Sequence, residues 1–495
     1  MRLDVLSLLI GEKDVTNVII LTHNIDFVFI QTIVLPALRK CGNSSLTIFA
    51  DAKCSEESFQ SQYLAIDSLG SRFRVVPVVM HPGFCFHPKA ILLAGINKGT
   101  LLIGSGNLTF GGWRENGEIW NRFDSNVDGT GVFTAFRNYL ENILALVPLG
   151  HNVQAEIDEA FDGKTRAWAN QMEPAGRLFF RAGKGESLLE QMSREVGDTK
   201  PESIIICSPY FDDHGYAIRE LSKKFGVAVQ VLCQHKRSGL SKEAAEQISD
   251  IATLSSFDFH HVKIDSGERQ AFVHAKWYAL KNGENVRVFL GSANCSSAAL
   301  TIPGSNGNAE LMTIVEMTSE EFESQFTAEL EFNDSVPELM ALPEITNSEE
   351  YDTSCLRVLA ARLEAGCLQV AYRCSLGVKV TKLLTKDSSI DFSYVEPGIL
   401  MATSVESKLR TVRLEGMLDE NFVYSNSIWV DDERELSVTA RSRSVVDAIR
   451  RNVQSKNWNI GAWAEVAGIF YRHLKYMPPR TTGAARTTEI EMVVH

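Results

Sequence analysis

The sequence predicts an α/β protein made of two copies of one mixed-sheet unit, followed by a mostly β C-terminal domain that ends in helices. Three observations predict it. A fixed series of apolar strands, a helix and short polar motifs occurs twice between about residues 15 and 330. Strands alternate with helical stretches in both copies. After about residue 340 the pattern changes to short alternating runs separated by turns.

The first copy opens with NVIILTHNIDF, a β-branched and aliphatic run of the buried-strand type. A helical stretch follows around Asp26 to Lys40, then the strands SLTIFADAK and FRVVPVVM. FCFHPKAILLAG and TLLIGSGNLTFGGWRENGEIW complete the copy. After a polar interval near residues 163–200, SIIICSPYF opens the second copy. DDHGYAIRELSKKFG reads as a helix begun by an acidic cap and stopped at Gly226. VAVQVLCQ, FVHAKWYALKN, VRVFLGSANCSSAAL and GNAELMTIVE then repeat the earlier order. The two halves are taken as residues 1–165 and 166–335, packed with pseudo-two-fold symmetry.

PELMALPEITNSEEYD reads as a linker into a separate domain, residues 345–495. There LRVLAARLEAGCLQVAYRC and SIDFSYVEPGILMATSV alternate like short antiparallel strands. SVVDAIRRNV and NWNIGAWAEVAGIFYRHLKYM read as helices, and RTTGAARTTEIEMVVH as a loosely held tail. Nothing in this domain's sequence indicates its purpose.

Composition bounds the function classes. At 495 residues, with 44% hydrophobic and 22% charged residues, the chain has material for several cores and none of the marks of disorder. A net charge of −13 excludes a body coated in basic surface, but not a narrow basic cleft. The nine cysteines are scattered and include no CxxC pair, so a reducing compartment is expected rather than a disulfide framework. The N-terminal MRLDVLSLLIGEKD carries Asp4 and lacks a small-residue cleavage site, and no apolar run has bilayer-spanning length. A cytoplasmic protein with no membrane partner is the expectation.

The chemistry lies in two short motifs. In the first copy His87 and Lys89 flank Pro88, and Asn107 follows Ser105 by two. In the second, His274 and Lys276 flank Ala275, and Asn294 follows Ser292 by two. The interval from histidine to asparagine is twenty residues both times. A distal acid completes each copy in an Asn-x-Glu triplet, Asn116 to Glu118 and Asn308 to Glu310. In extended backbone, residues two apart project to one face. Each histidine–lysine pair therefore points into one cleft, and each serine–asparagine pair joins it from a neighbouring strand. A phosphodiester held between the halves would meet two imidazoles, two ammonium groups, two amides and two hydroxyls. One histidine would attack phosphorus while the other protonates the leaving oxygen. Lys89, Lys276, Asn107 and Asn294 would stabilise the non-bridging oxygens, and Glu118 and Glu310 would orient the imidazoles. Ser105 and Ser292 are read as substrate-binding residues, with a turn-forming role as the alternative. The lysines supply the positive charge, so neither metal nor cofactor is called for.

HPK with GSGN and HAK with GSAN resemble the twice-repeated signature of the phospholipase D superfamily over about residues 15–330. That resemblance implies two αβα halves, a covalent phosphohistidine, and His87 as the nucleophile. The superfamily's aspartate after His-x-Lys is replaced by Ala94 in one copy and Lys281 in the other. In this the chain is similar to the tyrosyl-DNA phosphodiesterases and metal-independent nucleases of the superfamily, which implies a nucleic-acid substrate, DNA foremost, in a repair or defence setting. Two other readings stand beside it: a phospholipase or phosphatidyltransferase, for which no amphipathic membrane helix is seen, and a catalytically silent nucleic-acid binder. Whether the chain forms a homodimer is left open by its sequence.

Other residues carry less. His260 and His261 lack ligand spacing and are read as structural, His81 as part of a His-Pro-Gly turn, and His235 as a strand-end residue. Lys236, Arg237 and Lys242 form a basic loop, read equally as a phosphate contact or a solvated surface. Phe110 and Trp113 are read as packing first and base stacking second. Arg441, Arg443, Arg450, Arg451 and Lys456 read as a solvated helix face before a nucleic-acid face.

Overall fold

Aliphatic and β-branched runs bounded by turns build two sheets of matching topology. The structure is a computed structural model. It describes residues 4–437 apart from 42–43, 171, 265–266, 305, 334–336, 338, 340–354, 387 and 406–408. Most of the expected linker, the expected terminal helices, the tail, and Arg441, Arg443, Arg450, Arg451 and Lys456 lie outside the described residues.

The first sheet comprises β1 (Val15–Thr22), β2 (Ser45–Asp51), β3 (Arg74–Val78), β4 (Ala90–Gly95), β5 (Gly99–Gly104) and β6 (Trp120–Asp124). The second comprises β7 (Leu178–Arg181), β8 (Ser203–Cys207), β9 (Val229–Gln234), β10 (Ala252–Asp258), β13 (Trp277–Asn282), β14 (Asn285–Gly291), β15 (Glu310–Thr318) and β16 (Glu331–Asn333). Between β10 and β13, β11 (His260–Ile264) and β12 (Gly267–Gln270) pair with each other, and the side chains of His260 and His261 lie outside the described residues. The strand orders are β3-β2-β1-β4-β5-β6 and β16-β10-β9-β8-β13-β14-β15-β7. Three parallel strands followed by three antiparallel ones therefore occur twice, in the same order. The α/β class and the internal repeat expected from the sequence are both present.

Period-2 alternation divides the first sheet between two cores. Val18, Ile20, Ile91 and Leu93 face one core, and Ile19, Leu21, Leu92 and Ala94 face the other. The first core is covered by helices, among them Val5–Gly11 and Ala52–Gln62. The second is covered by Gly131–Ile143 and His151–Ala160. The expected helix around Asp26 to Lys40 consists of consecutive segments, Phe27–Phe29, Ile30–Val34 (π-helical) and Leu35–Cys41, with the Asp26 carboxylate accepting from the Phe29 N–H. The expected strand SLTIFADAK stops at Asp51. Its carboxylate accepts from the Lys53 and Cys54 N–H groups and starts the helix Ala52–Gln62, which periodicity did not disclose. In the second half Tyr216–Phe225 ends at Gly226, in the left-handed conformation, as expected.

After residue 355 the chain forms antiparallel strands, opening with the hairpin β17 (Leu356–Glu364) and β18 (Cys367–Cys374). The expected separateness of this region is not what the structure shows. Leu356, Val358, Leu400, Leu414 and Trp429 share one continuous core with Phe27, Phe59 and the first sheet. Phe27, Phe59 and Trp429 meet edge to face, with ring centroids 5.3–6.3 Å apart. Among the described residues no helix is long and apolar enough to cross a membrane.

Candidate active site

Both His-x-Lys motifs lie just before a strand, His87–Lys89 ahead of β4 and His274–Lys276 ahead of β13, and both Gly-Ser-x-Asn motifs end one, β5 and β14. The paired strands are antiparallel, so each motif pair meets at one sheet edge. Backbone bonds lock them: the Gly104 N–H donates to Lys89 O (3.1 Å) and the Gly291 N–H to Lys276 O (3.2 Å).

The two halves exchange contacts at this edge. The His87 N–H donates to Ala309 O and the Ala309 N–H to Cys85 O; the His274 N–H donates to Gly117 O and the Gly117 N–H to Phe272 O. Each histidine segment thus forms a short bridge with the acid segment of the other half. The side chains follow. His87 Nδ1 is 3.0 Å from Glu310 Oε2, and His274 Nδ1 is 3.0 Å from Glu118 Oε1. Each glutamate therefore orients the imidazole of the other copy, a crossing that no one-dimensional pattern reveals. With Nδ1–H donating to a carboxylate, each Nε2 keeps its lone pair. His274 Nε2 accepts from Lys276 Nζ at 2.8 Å. Among the described residues, His87 Nε2 has no partner.

Ser105 and Ser292 occupy places other than those expected. Both are fully buried. Ser105 Oγ donates to Glu118 Oε2 (2.5 Å) and accepts from the Ile119 N–H, while Ser292 Oγ donates to Glu310 Oε2 and accepts from the Leu311 N–H. Hydroxyls committed in this way hold the glutamates instead of facing a phosphate. Asn116 and Asn308 hold the other carboxylate oxygens, each Nδ2 donating at 3.2 Å. The Asn-x-Glu triplet was the sequence signal for that role.

Lys89 and Lys276 are wholly buried, and each Nζ donates to the carbonyl of its own histidine, at 2.7 and 2.6 Å. Burial pushes Lys89 down to about 8. Burial also pushes Lys276 down, with Lys89 adding to the effect and both glutamates opposing it. His274 is held down to about 4 by burial and Lys276. His87 is pushed well below its ordinary value by burial, then by Lys89. For Glu118, burial works against ionisation, but His274, Lys276 and the Ser105 hydroxyl outweigh it and hold the carboxyl below its ordinary range. Burial dominates at Glu310 and raises it. That these groups shift one another places them in a single field.

Asn107 and Asn294 stand at the same edge. Asn107 Oδ1 accepts from the Asn24 N–H (3.2 Å), whereas Asn294 Oδ1 is buried without a partner among the described residues. Thr22, at the end of β1, and Ser208, just after the corresponding strand β8, brace the asparagine loops by accepting from the Leu108 and Cys295 N–H groups. The residues that follow differ between the halves, and periodicity overlooked them. His23 lies edge-on to His87 (centroids 5.1 Å apart), and the half-exposed Tyr210 lies edge-on to His274 (6.3 Å). Aligning LTHN with CSPY would have found them.

His23, Asp51 and Cys54 bring potential metal-ligating atoms within 4.8 Å of one another. The Asp51 carboxylate already accepts from the Lys53, Cys54 and Phe86 N–H groups. Burial, then Asp51, pushes the Cys54 thiol up to about 12, so the cluster acts as a hydrogen-bonded support for His23. Trp113 packs on Phe29 (5.5 Å) in the core, as read first, and Phe110 is half exposed against the same ring. His81 sits in a turn closed by the Phe84 N–H, and Lys236 and Arg237 are exposed.

Residues 193–332 match the family model described as "Cardiolipin synthase, PLD-like domain". That stretch of the chain is phospholipase D-like. The matched stretch holds His274, Lys276, Ser292, Asn294 and Glu310, and the first half of the chain repeats its strand order. No curated protein matches. Two mutant structures of yeast tyrosyl-DNA phosphodiesterase are each 11% identical over 63% of this chain, covering 84% and 85% of theirs, with TM-scores of 0.37 and 0.38. NucT from Helicobacter pylori is 17% identical over 31% of this chain and 96% of its own, with a TM-score of 0.21. Overlaps this loose add nothing to the geometry of the site.

Proposed function

We propose that this phospholipase D-like hydrolase cleaves phosphodiester bonds in nucleic acid, DNA foremost, through a phosphohistidine on His87. The observation that carries the reading is the exchanged pair of His–Glu contacts, closed around two buried lysines. The two histidines are set apart by their surroundings, and such divergence marks acid and base. Burial, then Lys89, pushes His87 toward neutrality beside a glutamate that burial raises. His274, held down to about 4 by burial and Lys276, is paired with a glutamate held ionised, whose charge opposes that lowering and favours an imidazolium.

In the first step His87 Nε2 forms a bond to phosphorus as the bond to the leaving oxygen breaks, and His274 gives that oxygen its Nε2 proton. In the second, His274 takes a proton from water, whose oxygen displaces the histidine and releases a phosphate monoester. Lys89 and Lys276 offset the charge on the non-bridging oxygens, and the anionic substrate in turn favours protonation of His274. Two features support nucleic acid over lipid. The superfamily aspartate positions carry Ala94, buried in the core, and Lys281, whose Nζ lies 5.6 Å from the Phe322 ring centroid. Tyr210 offers a half-exposed stacking surface beside His274.

The test is cleavage of labelled single- and double-stranded DNA in excess EDTA, with His87→Ala and His274→Ala beside the wild type. Cleavage should persist in EDTA, fall by about 10³-fold or more in each variant, and leave a 32P-labelled intermediate trapped by the wild type but not by His87→Ala. The mechanism needs a neutral His87, a Lys89 that stays cationic only below about 8, and a proton on His274, which burial and Lys276 hold down to about 4; together these place the optimum on the acid side of neutrality. A wild type inactive on every nucleic acid, or an optimum above pH 8, would overturn the reading.

A further inference from the structure

We propose that the C-terminal strands supply a second part of the substrate site: a groove, walled by Arg357 and Arg373, that holds the phosphate backbone of the nucleic-acid strand flanking the scissile bond. This inference rests on the nucleic-acid reading above and assigns the C-terminal region a role in it.

A cavity of about 830 Å³ lies between the first half and the hairpin of β17 and β18. His23 and Cys85 line the end next to the active site, since the His23 ring is 5.1 Å from that of His87. Lys53 and His81 line it from the first half, and Arg357 and Arg373 from the hairpin. A volume of this size suits a segment of chain better than a single phosphate.

Arg357 and Arg373 stand directly opposite each other in the antiparallel ladder. Like charges in that relation destabilise a sheet unless an anion lies between or beside them. Arg357 has one, its Nη2 pairing with the Glu56 carboxylate. Arg373 is exposed and has no carboxylate partner among the described residues. On the facing wall the Lys53 side chain is 66% exposed, and its contact with Glu57 is a long 4.0 Å in open solvent, worth little. Asp51 and Glu57 also line the cavity; the Asp51 oxygens are turned to three backbone N–H groups, and Glu57 is the loose partner of Lys53. Cations on both walls of a groove that reaches His23, the ring packed against His87, form the electrostatic track that a phosphodiester backbone follows. A guanidinium fork also fits phosphate oxygens in pairs.

The experiment compares two substrates on the full chain: a labelled single-stranded oligodeoxynucleotide, which reaches the groove, and bis(p-nitrophenyl) phosphate, which is too small to. Arg373→Glu should raise KM for the oligonucleotide roughly tenfold more than for the small diester. The slope of log(kcat/KM) against log salt should shrink by about 1 for each phosphate that the variant no longer holds. Arg373→Lys should recover part of the loss. An unchanged oligonucleotide KM and salt slope in Arg373→Glu, or equal losses on both substrates, would overturn the groove while leaving the nucleic-acid reading standing. A wild type that hydrolyses the small diester but no oligonucleotide would overturn both.

Discussion

At the scale of single residues, the site depends on which carboxylate holds which imidazole. Glu118 and Glu310 each carry three engagements: a serine hydroxyl, an asparagine amide and the histidine of the opposite half. A glutamine in either place keeps the volume, but loses the charge that fixes the Nδ1–H tautomer. Glu118→Gln should therefore lower kcat by about 10²- to 10⁴-fold with little change in KM. In NMR spectra of the imidazoles it should move the His274 resonances far more than those of His87, and Glu310→Gln should do the reverse. An effect confined to the histidine of the same half would contradict the exchange. The motif residues themselves were legible, because identical spacing in two copies is improbable without a shared task. The exchange was not, since sequence distance does not record which strand edge a segment crosses to.

At the scale of elements, the motif glycines explain how the acids come so close. A Cβ on Gly104 would lie 2.2 Å from Ile119 O, and one on Gly291 would lie 2.3 Å from Leu311 O. The acid-bearing segment thus runs against the end of each Gly-Ser-x-Asn strand with no room for a side chain. Gly291 adopts φ of +155°, which also disfavours any other residue. Gly291→Ala should destabilise the protein by about 1–3 kcal/mol and reduce activity further still, because Glu310 begins the displaced strand. Thermal unfolding and turnover, measured on the same sample, would separate the two losses. Equal behaviour to wild type in both would show that the strand yields freely. The strands were readable from their aliphatic runs, whereas Ala52–Gln62, Gly131–Ile143 and His151–Ala160 were not. Their apolar residues are spaced among polar ones, and their faces are fixed only by the sheet they cover.

At the scale of the whole molecule, the C-terminal strands are bound into the first half by a buried ion cluster as well as by the shared core. Arg74, 4% exposed on β3, donates to Glu156 (2.9 Å) and in a fork to Glu433 (2.9 and 2.7 Å), with Asp431 3.5 Å away. Removing one partner from such a cluster strands the rest without compensation. Arg74→Ala should cost about 3–5 kcal/mol, and urea unfolding should show the C-terminal strands and the first half losing structure together. Two separate transitions, with the C-terminal strands melting alone in the wild type, would contradict a common core.

The sequence by itself determined the α/β class, the duplication and the eight residues at the centre of the site, because strand periodicity and repeated spacing are local properties of a chain. Only the tertiary structure decided the rest: that each glutamate serves the other half's histidine, that the serines hold carboxylates, that His23 and Tyr210 make the halves unequal, and that Arg373 lines a cavity that His23 also lines. Each of these depends on which surfaces meet when the two halves pack together, and packing joins residues more than a hundred and fifty positions apart on energetic grounds that no short pattern encodes.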